Sequence, residues 1–210
     1  MRIVHVITRL IIGGAQENTL LTVDDLQHIY HDDVTLITGP AEGPEGDLLD
    51  KAHKRGLKVE LMPELVRPIR PISDVRAYRK LRSAFQRLRP DVVHTHSSKA
   101  GILGRAAASH QRVPAVVHTI HGMPFGDFET AVKNRLYITL ERWAAKRCDA
   151  IVSVCDSMTE QALRAGVGRS EQFQTVYSGM DADAFLNPRR SRQEVRRELG
   201  LADHEVAFAT

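Results

Sequence analysis

The sequence predicts an α/β protein, an open, doubly wound, mostly parallel sheet of about seven strands with helices on both faces. Three observations predict it. Short runs rich in Val and Ile recur along the chain, and several are apolar on both faces, which suits strands covered on each side. Longer segments of helical period separate them, the alternation expected of βαβ units. The 210 residues are 42% hydrophobic and 26% charged, enough apolar material for a sizeable core and close to an ordinary globular composition.

The first strand is expected at residues 3–7. The amino terminus superficially resembles a secretory leader, but Arg9 interrupts the apolar run, Gly13-Gly14 ends it, and no small-residue cleavage site follows. Further strands are expected at residues 34–38 and 58–62. The helix at 73–88 shows Val75, Tyr78, Leu81, Phe85 and Leu88 at three- and four-residue spacing, one apolar stripe. Ser73 can cap its start, and Pro90 forces its end, because the residue before a proline avoids the helical region.

A fourth strand is expected at 92–95. The Gly- and Ala-rich segment 101–109 after it reads as a helix able to lie close against the sheet. A fifth strand at 115–119 precedes a helix at 129–147, whose stripe is Val132, Leu136, Leu140 and Trp143. Strands at 150–154 and 174–177 complete the sheet. After Gly179 the pattern changes: Asn187-Pro188 reads as a turn, a short basic helix spans about 192–199, Gly200 ends it, and 205–210 resembles a strand cut off. The expected division is a first domain at 1–186, then a linker and the first strand of a truncated second domain at 187–210.

The formal charge of +3 hides a regional bias, since residues 64–89 hold eight Lys/Arg against two acidic residues. Such a patch suggests a phosphate-bearing ligand, a lipid head group or nucleic acid. An aromatic content of 5% argues against base stacking, and no nucleic-acid partner is expected. Cys148 and Cys155 lack metal-type spacing and read as free, reduced thiols, consistent with the cytoplasm. No apolar stretch reaches the ~18 residues of a membrane span.

In a doubly wound sheet, ligands bind beyond the carboxyl ends of the strands, and three polar clusters fall there. The loop 8–16 carries Gly13-Gly14 ahead of a helix, where backbone can approach an anion and the helix offers free N–H groups; an ordinary tight turn is the alternative. The spacing Gly-x-Gly-x-x-Gly of dinucleotide sites is absent. The second cluster contains His94, His96, Ser97, Ser98 and Lys99. His94 and His96 point the same way on a strand, but the sequence places no third metal ligand, so no metal is expected, and His94 reads as a hydrogen-bonded core residue. His96, Ser97 and Lys99 fall where polar groups reach a ligand. In the third cluster His121, followed by Gly122, stands at the crevice.

These clusters, with Arg70-Pro71-Ile72-Ser73-Asp74, the run from Pro90 to Gly101, His118-Thr119-x-His121-Gly122, Glu141-Arg142-x-Ala144-Ala145, Cys148-Asp149-Ala150-Ile151-Val152 and Tyr177-Ser178-Gly179-Met180-Asp181, closely resemble the amino-terminal half of glycosyltransferase family 4. Ser178 stands where that family usually has Asn. The resemblance covers essentially the whole chain.

It implies a GT-B architecture of two Rossmann-like domains, with this chain on the acceptor side and stopping where the donor-binding half begins. It implies a retaining hexosyltransferase of cell-envelope polysaccharide synthesis. A UDP- or GDP-sugar would be the co-substrate, with no metal and no cofactor, and a glycan or lipid-linked molecule the acceptor. Gly13 and Gly14 would contact the donor diphosphate, His121 the transferred sugar, and His96, Ser97, Ser98 and Lys99 the acceptor. The family's Arg/Lys pair and Glu-x7-Glu motif would lie in the missing carboxyl-terminal domain, so the 210 residues alone are expected to be inactive. The basic helix suits a cytoplasmic enzyme touching the inner membrane face, and an ordinary solvated face is the alternative. A non-catalytic sugar- or lipid-binding module or a subunit needing a separate donor domain, and a GT-B-like nucleotide-sugar epimerase, are the competing readings.

Overall fold

The computed structural model describes residues 1–41, 44 and 46–208, and they form two compact units, Met1–Ser178 and Gly179–Thr210. The first unit is built on a seven-stranded, all-parallel sheet of order β3-β2-β1-β4-β5-β6-β7. The strands are β1 (Arg2–Arg9), β2 (Asp33–Gly39), β3 (Lys58–Leu61), β4 (Val92–His96), β5 (Ala115–Ile120), β6 (Ala150–Ser153) and β7 (Phe173–Thr175). Between them lie α1 (Gly14–His28), α2 (Leu49–Lys54), α3 (Pro71–Leu88), α4 (Ser98–His110), α5 (Ala131–Ala145) and α6 (Asp156–Arg164).

Both faces of the sheet carry helices. Ile3 and Ile7 of β1 pack with Leu20 and Val23 of α1 and Ala52 of α2. The alternate residues Val4 and Val6 join Leu81 and Phe85 of α3, Ala100 and Ala107 of α4, Ala145 of α5 and Ala162 of α6. Side chains alternate across a strand, so His5 shares the face of Ile3 and Ile7.

Strand positions agree with the sequence to within a residue or two, and β7 differs for a physical reason. Val176 N donates to Ser153 O at 2.9 Å, but β6 ends at Ser153, so residues beyond have no strand to pair with. Helix α3 starts earlier than expected. Pro71 at its first turn presets φ, and Ser73 lies inside that turn, its hydroxyl donating to Glu64 O at 2.9 Å instead of capping. Its buried face is Ala77, Leu81, Ala84 and Phe85, while Val75 is 50% exposed.

Three residues of the stripe expected to bury α5 point outward, Val132, Leu136 and Trp143 at 81%, 46% and 41% exposed, while Leu140 is half-buried. The packed side of the helix is Glu141, Ala144 and Ala145, small residues that approach the core closely and a carboxylate that finds a buried partner.

Helix α4 shows why its glycines are needed. A Cβ on Gly101 would sit 2.5 Å from His118 Cε1, and one on Gly104 2.6 Å from Thr95 Cγ2. The helix rests directly on β4 and β5.

The second unit contains α7 (Asp183–Leu186) and α8 (Arg192–Glu198). Ser191 and Glu194 cap α8 reciprocally, and Gly200 follows at φ 68. Residues 205–208 form no strand, and Ala209 and Thr210 lie outside the described residues.

Candidate functional site

The strand order reverses at β1. The chain runs outward through β2 and β3, then α3 carries it back to β4 on the other side of β1. The gap beyond the carboxyl ends of β1 and β4 is therefore the switch point, where open α/β sheets bind ligands. All three polar clusters open onto it or onto the adjoining end of β5.

Gly13 precedes α1, which no side chain caps. A Cβ on Gly13 would meet Gln16 Oε1 at 2.9 Å, whereas one on Gly14 would meet nothing within 4 Å. Gly14 is exposed and leaves the start of the helix open to an approaching group.

Ser97 turns the chain from β4 into α4 at φ 60, a conformation costly for a residue with a side chain. Thr8 holds it there. The two hydroxyl oxygens lie 2.7 Å apart, Thr8 N donates to Ser97 Oγ at 3.3 Å, and Ala100 N donates to Thr8 Oγ1 at 3.1 Å. Ser98 Oγ donates to Glu141 Oε1 at 2.8 Å, and the other oxygen of that carboxylate pairs with buried Arg105 at 2.6 Å. Lys99 Nζ donates to Asp74 Oδ1 at 2.6 Å and also to Pro68 O. All three side chains thus brace the crevice, tying α4 to β1, α5 and α3.

A chain of imidazoles runs beneath the crevice. His5 Nδ1 lies 2.9 Å from His96 Nε2, and His96 Nδ1 lies 3.0 Å from His121 Nε2. His96 is buried and both its nitrogens are engaged within the protein, so it reaches the crevice only through His121. His94 faces the same cluster, with Nε2 2.7 Å from Thr119 Oγ1. His121 is the half-buried end member, and its Nδ1 has no protein partner among the described residues. It lines a small pocket with Ser97, Ser98, Met123, Phe125 and Glu141.

Burial disfavours a charged imidazole and pushes His94 and His121 down to about 4. Burial first, then neighbouring histidines, holds His5 and His96 well below the ordinary value. One nitrogen each of His5, His94 and His96 falls within 4.8 Å of the others, so the pair read as possible metal ligands gains a third imidazole. In this arrangement His5 Nδ1 and His96 Nε2 are bound to each other, and His94 Nε2 to Thr119.

Sequence reasoning missed His5 and Arg105, and singled out Glu141 only within a motif, without a role. A usable signal existed for the two it missed: a histidine inside the apolar run of β1, and an arginine inside the small-residue helix α4.

The family model for the glycosyl transferase 4-like domain matches residues 13–177, which contain the Gly-Gly loop, the Ser97 turn and His121. The chain belongs to this family. Among curated relatives of this 4-like domain, an Escherichia coli UDP-Gal:alpha-D-GlcNAc-diphosphoundecaprenol alpha-1,3-galactosyltransferase is 29% identical over 99% of the chain and 52% of its own length.

Solved structures agree on the fold. HepE of Anabaena, in complex with UDP and glucose, superposes with a TM-score of 0.68 at 17% identity, covering 95% of this chain and 50% of HepE. Sucrose-phosphate synthase of Thermosynechococcus elongatus gives 0.73 at 15% identity, covering 98% of this chain and 54% of the synthase. The 4-like domain thus spans about half the length of these relatives, and its sheet is one of the two Rossmann-like halves of a GT-B fold.

Proposed function

We propose that the chain is the acceptor-side half of a retaining glycosyltransferase that moves a sugar from a UDP- or GDP-sugar to a lipid-linked acceptor. The observation that carries this reading is the convergence of Gly13-Gly14, Ser97 and His121 at the switch point and the neighbouring strand end. The relative that acts on a diphosphoundecaprenol-linked sugar, matched along nearly the whole chain, supports a lipid-linked acceptor.

Departure of a nucleoside diphosphate concentrates negative charge on phosphate oxygens, and preorganised N–H groups stabilise that charge mainly in the transition state. The uncapped start of α1 at Gly14 suits this role. His121 then touches the transferred sugar, and the scaffold of Ser97, Ser98, Lys99 and His96 keeps the acceptor side of the crevice in shape. Partners supplying the rest of the donor site belong to a second domain.

A membrane contact fits the same reading. Arg67, Ile69, Arg70, Ile72, Val75, Arg76 and Arg79 are all exposed, an interleaving of basic and apolar side chains suited to an anionic bilayer. Lys99 holds this segment beside the crevice through Pro68 and Asp74.

The test is transfer by the complete enzyme from labelled UDP- and GDP-sugars to a polyprenyl-diphosphate-linked saccharide, with the anomeric configuration of the product read by NMR. Retained configuration is expected. Sugar or lipid binding with no transfer from any donor would favour a non-catalytic module.

A further inference from the structure

His5 Nε2 is buried and has no hydrogen-bond partner among the described residues. This atom gives the imidazole chain a direction. A neutral imidazole carries one N–H and one lone pair, so His96, engaged through both nitrogens, must donate with one and accept with the other. Only two arrangements of the chain satisfy this.

In the first, His5 Nδ1–H donates to His96 Nε2, His96 Nδ1–H donates to His121 Nε2, and His121 carries its proton on Nδ1. His5 Nε2 is then a bare lone pair. In the second every bond reverses, His121 Nδ1 is the bare lone pair, and His5 Nε2–H is a buried donor with no acceptor. Orphaned buried N–H groups are rare in folded proteins, while acceptors short of a partner are better tolerated. The first arrangement is therefore the lower in energy.

We infer that His96, backed by His5, holds His121 as its Nδ1–H tautomer, so that the crevice meets a fixed hydrogen-bond donor there. His96 is a positioning residue in this scheme. The group that binds at His121 is an oxygen acceptor, a sugar hydroxyl or an anionic oxygen, and neutral His121 cannot take a proton from it. The depressed pKa values of all three imidazoles keep the chain neutral at pH 7, which the counting of protons requires.

The inference rests on the proposed role of His121 only for the identity of the ligand. Its test needs no activity. Nitrogen-15 NMR of histidine-labelled protein, assigned with His121→Asn, distinguishes protonated from bare ring nitrogens. At pH 7 the wild type is expected to show a protonated Nδ1 and a bare Nε2 at His121.

His96→Leu removes the donor, and His121 should shift toward a protonated Nε2. His96→Asn, whose amide can donate to His121 Nε2, should restore the wild-type pattern. A bare Nδ1 at His121 in the wild type overturns the inference, and so does an unchanged pattern in His96→Leu. The wild-type spectrum decides the direction of the chain even where the leucine variant fails to fold. Catalytic failure of the complete enzyme with a protonated Nδ1 intact would count against the proposed function alone.

Discussion

At the residue scale the histidines dominate. In the complete enzyme, His121→Ala should lower turnover about 10²–10³-fold, the usual loss when a transition-state hydrogen bond is removed. The ring is half-buried at the end of β5, and its loss leaves the buried His96 Nδ1–H without its acceptor, so the fold should persist with a stability loss of about 1–3 kcal/mol. Turnover within a few-fold of the parent would remove His121 from the chemistry. The same residues set a pH dependence. Below about 6.5 the unfolded chain takes up protons that folded His94 and His121 refuse until about 4. Stability is therefore complete above 6.5 and falls as the pH drops from there toward 4. The His94 shift alone corresponds to about 3 kcal/mol. Thermal unfolding followed at successive pH values checks the sign, and a melting temperature that stays flat or rises over that interval contradicts burial of neutral imidazoles.

At the scale of elements, α4 and α3 make separate predictions. Gly104→Ala would press a methyl against Thr95 Cγ2, 2.6 Å from where the carbon would sit, in a layer where neither strand nor helix can yield cheaply. Overpacking of this kind costs about 1–3 kcal/mol, readable by denaturant unfolding. Gly14→Ala, with open space at its Cβ, is the control and should change stability by less than about 0.5 kcal/mol. For α3 and the segment before it, sedimentation with vesicles is the measurement. Each exposed arginine near an anionic bilayer contributes about 1 kcal/mol. Replacing Arg67, Arg70, Arg76 and Arg79 together by Glu should abolish binding to anionic vesicles. Equal binding of the parent to neutral and anionic vesicles would refute the contact.

For the molecule as a whole, the first unit has two apolar clusters of its own, one on each face of the sheet, so the 210-residue chain should fold without a further domain. Transfer is a different matter. Holding donor and acceptor in near-attack geometry supplies ~7–11 kcal/mol of a barrier, and one wall of a cleft cannot hold both. Calorimetry on the chain alone should find nucleotide-sugar affinity near millimolar, about −4 kcal/mol, and a nucleotide-release assay should find no turnover. Micromolar binding, or steady turnover, would show these residues to be sufficient by themselves.

The order of strands and helices, the parallel sheet and the three strand-end clusters were legible in the sequence, because apolar period and turn chemistry are local properties. Such a period tells that a stripe exists, as in α5, but not which way it faces. The outward turn of Val132, Leu136 and Trp143 follows from the buried pair of Glu141 with Arg105, a partner 36 residues away. The site shows the same division. Ser97, Ser98 and Lys99 were identifiable as strand-end residues, yet only the fold shows them braced by Thr8, Glu141 and Asp74. His5 and His96 are 91 residues apart, and they meet because β1 and β4 pair in a register that places His5 opposite His94. Sequence by itself determined the elements and their apolar periods. Strand order and register, which depend on the summed packing of distant segments, decided which polar groups meet and hence which nitrogen faces the crevice.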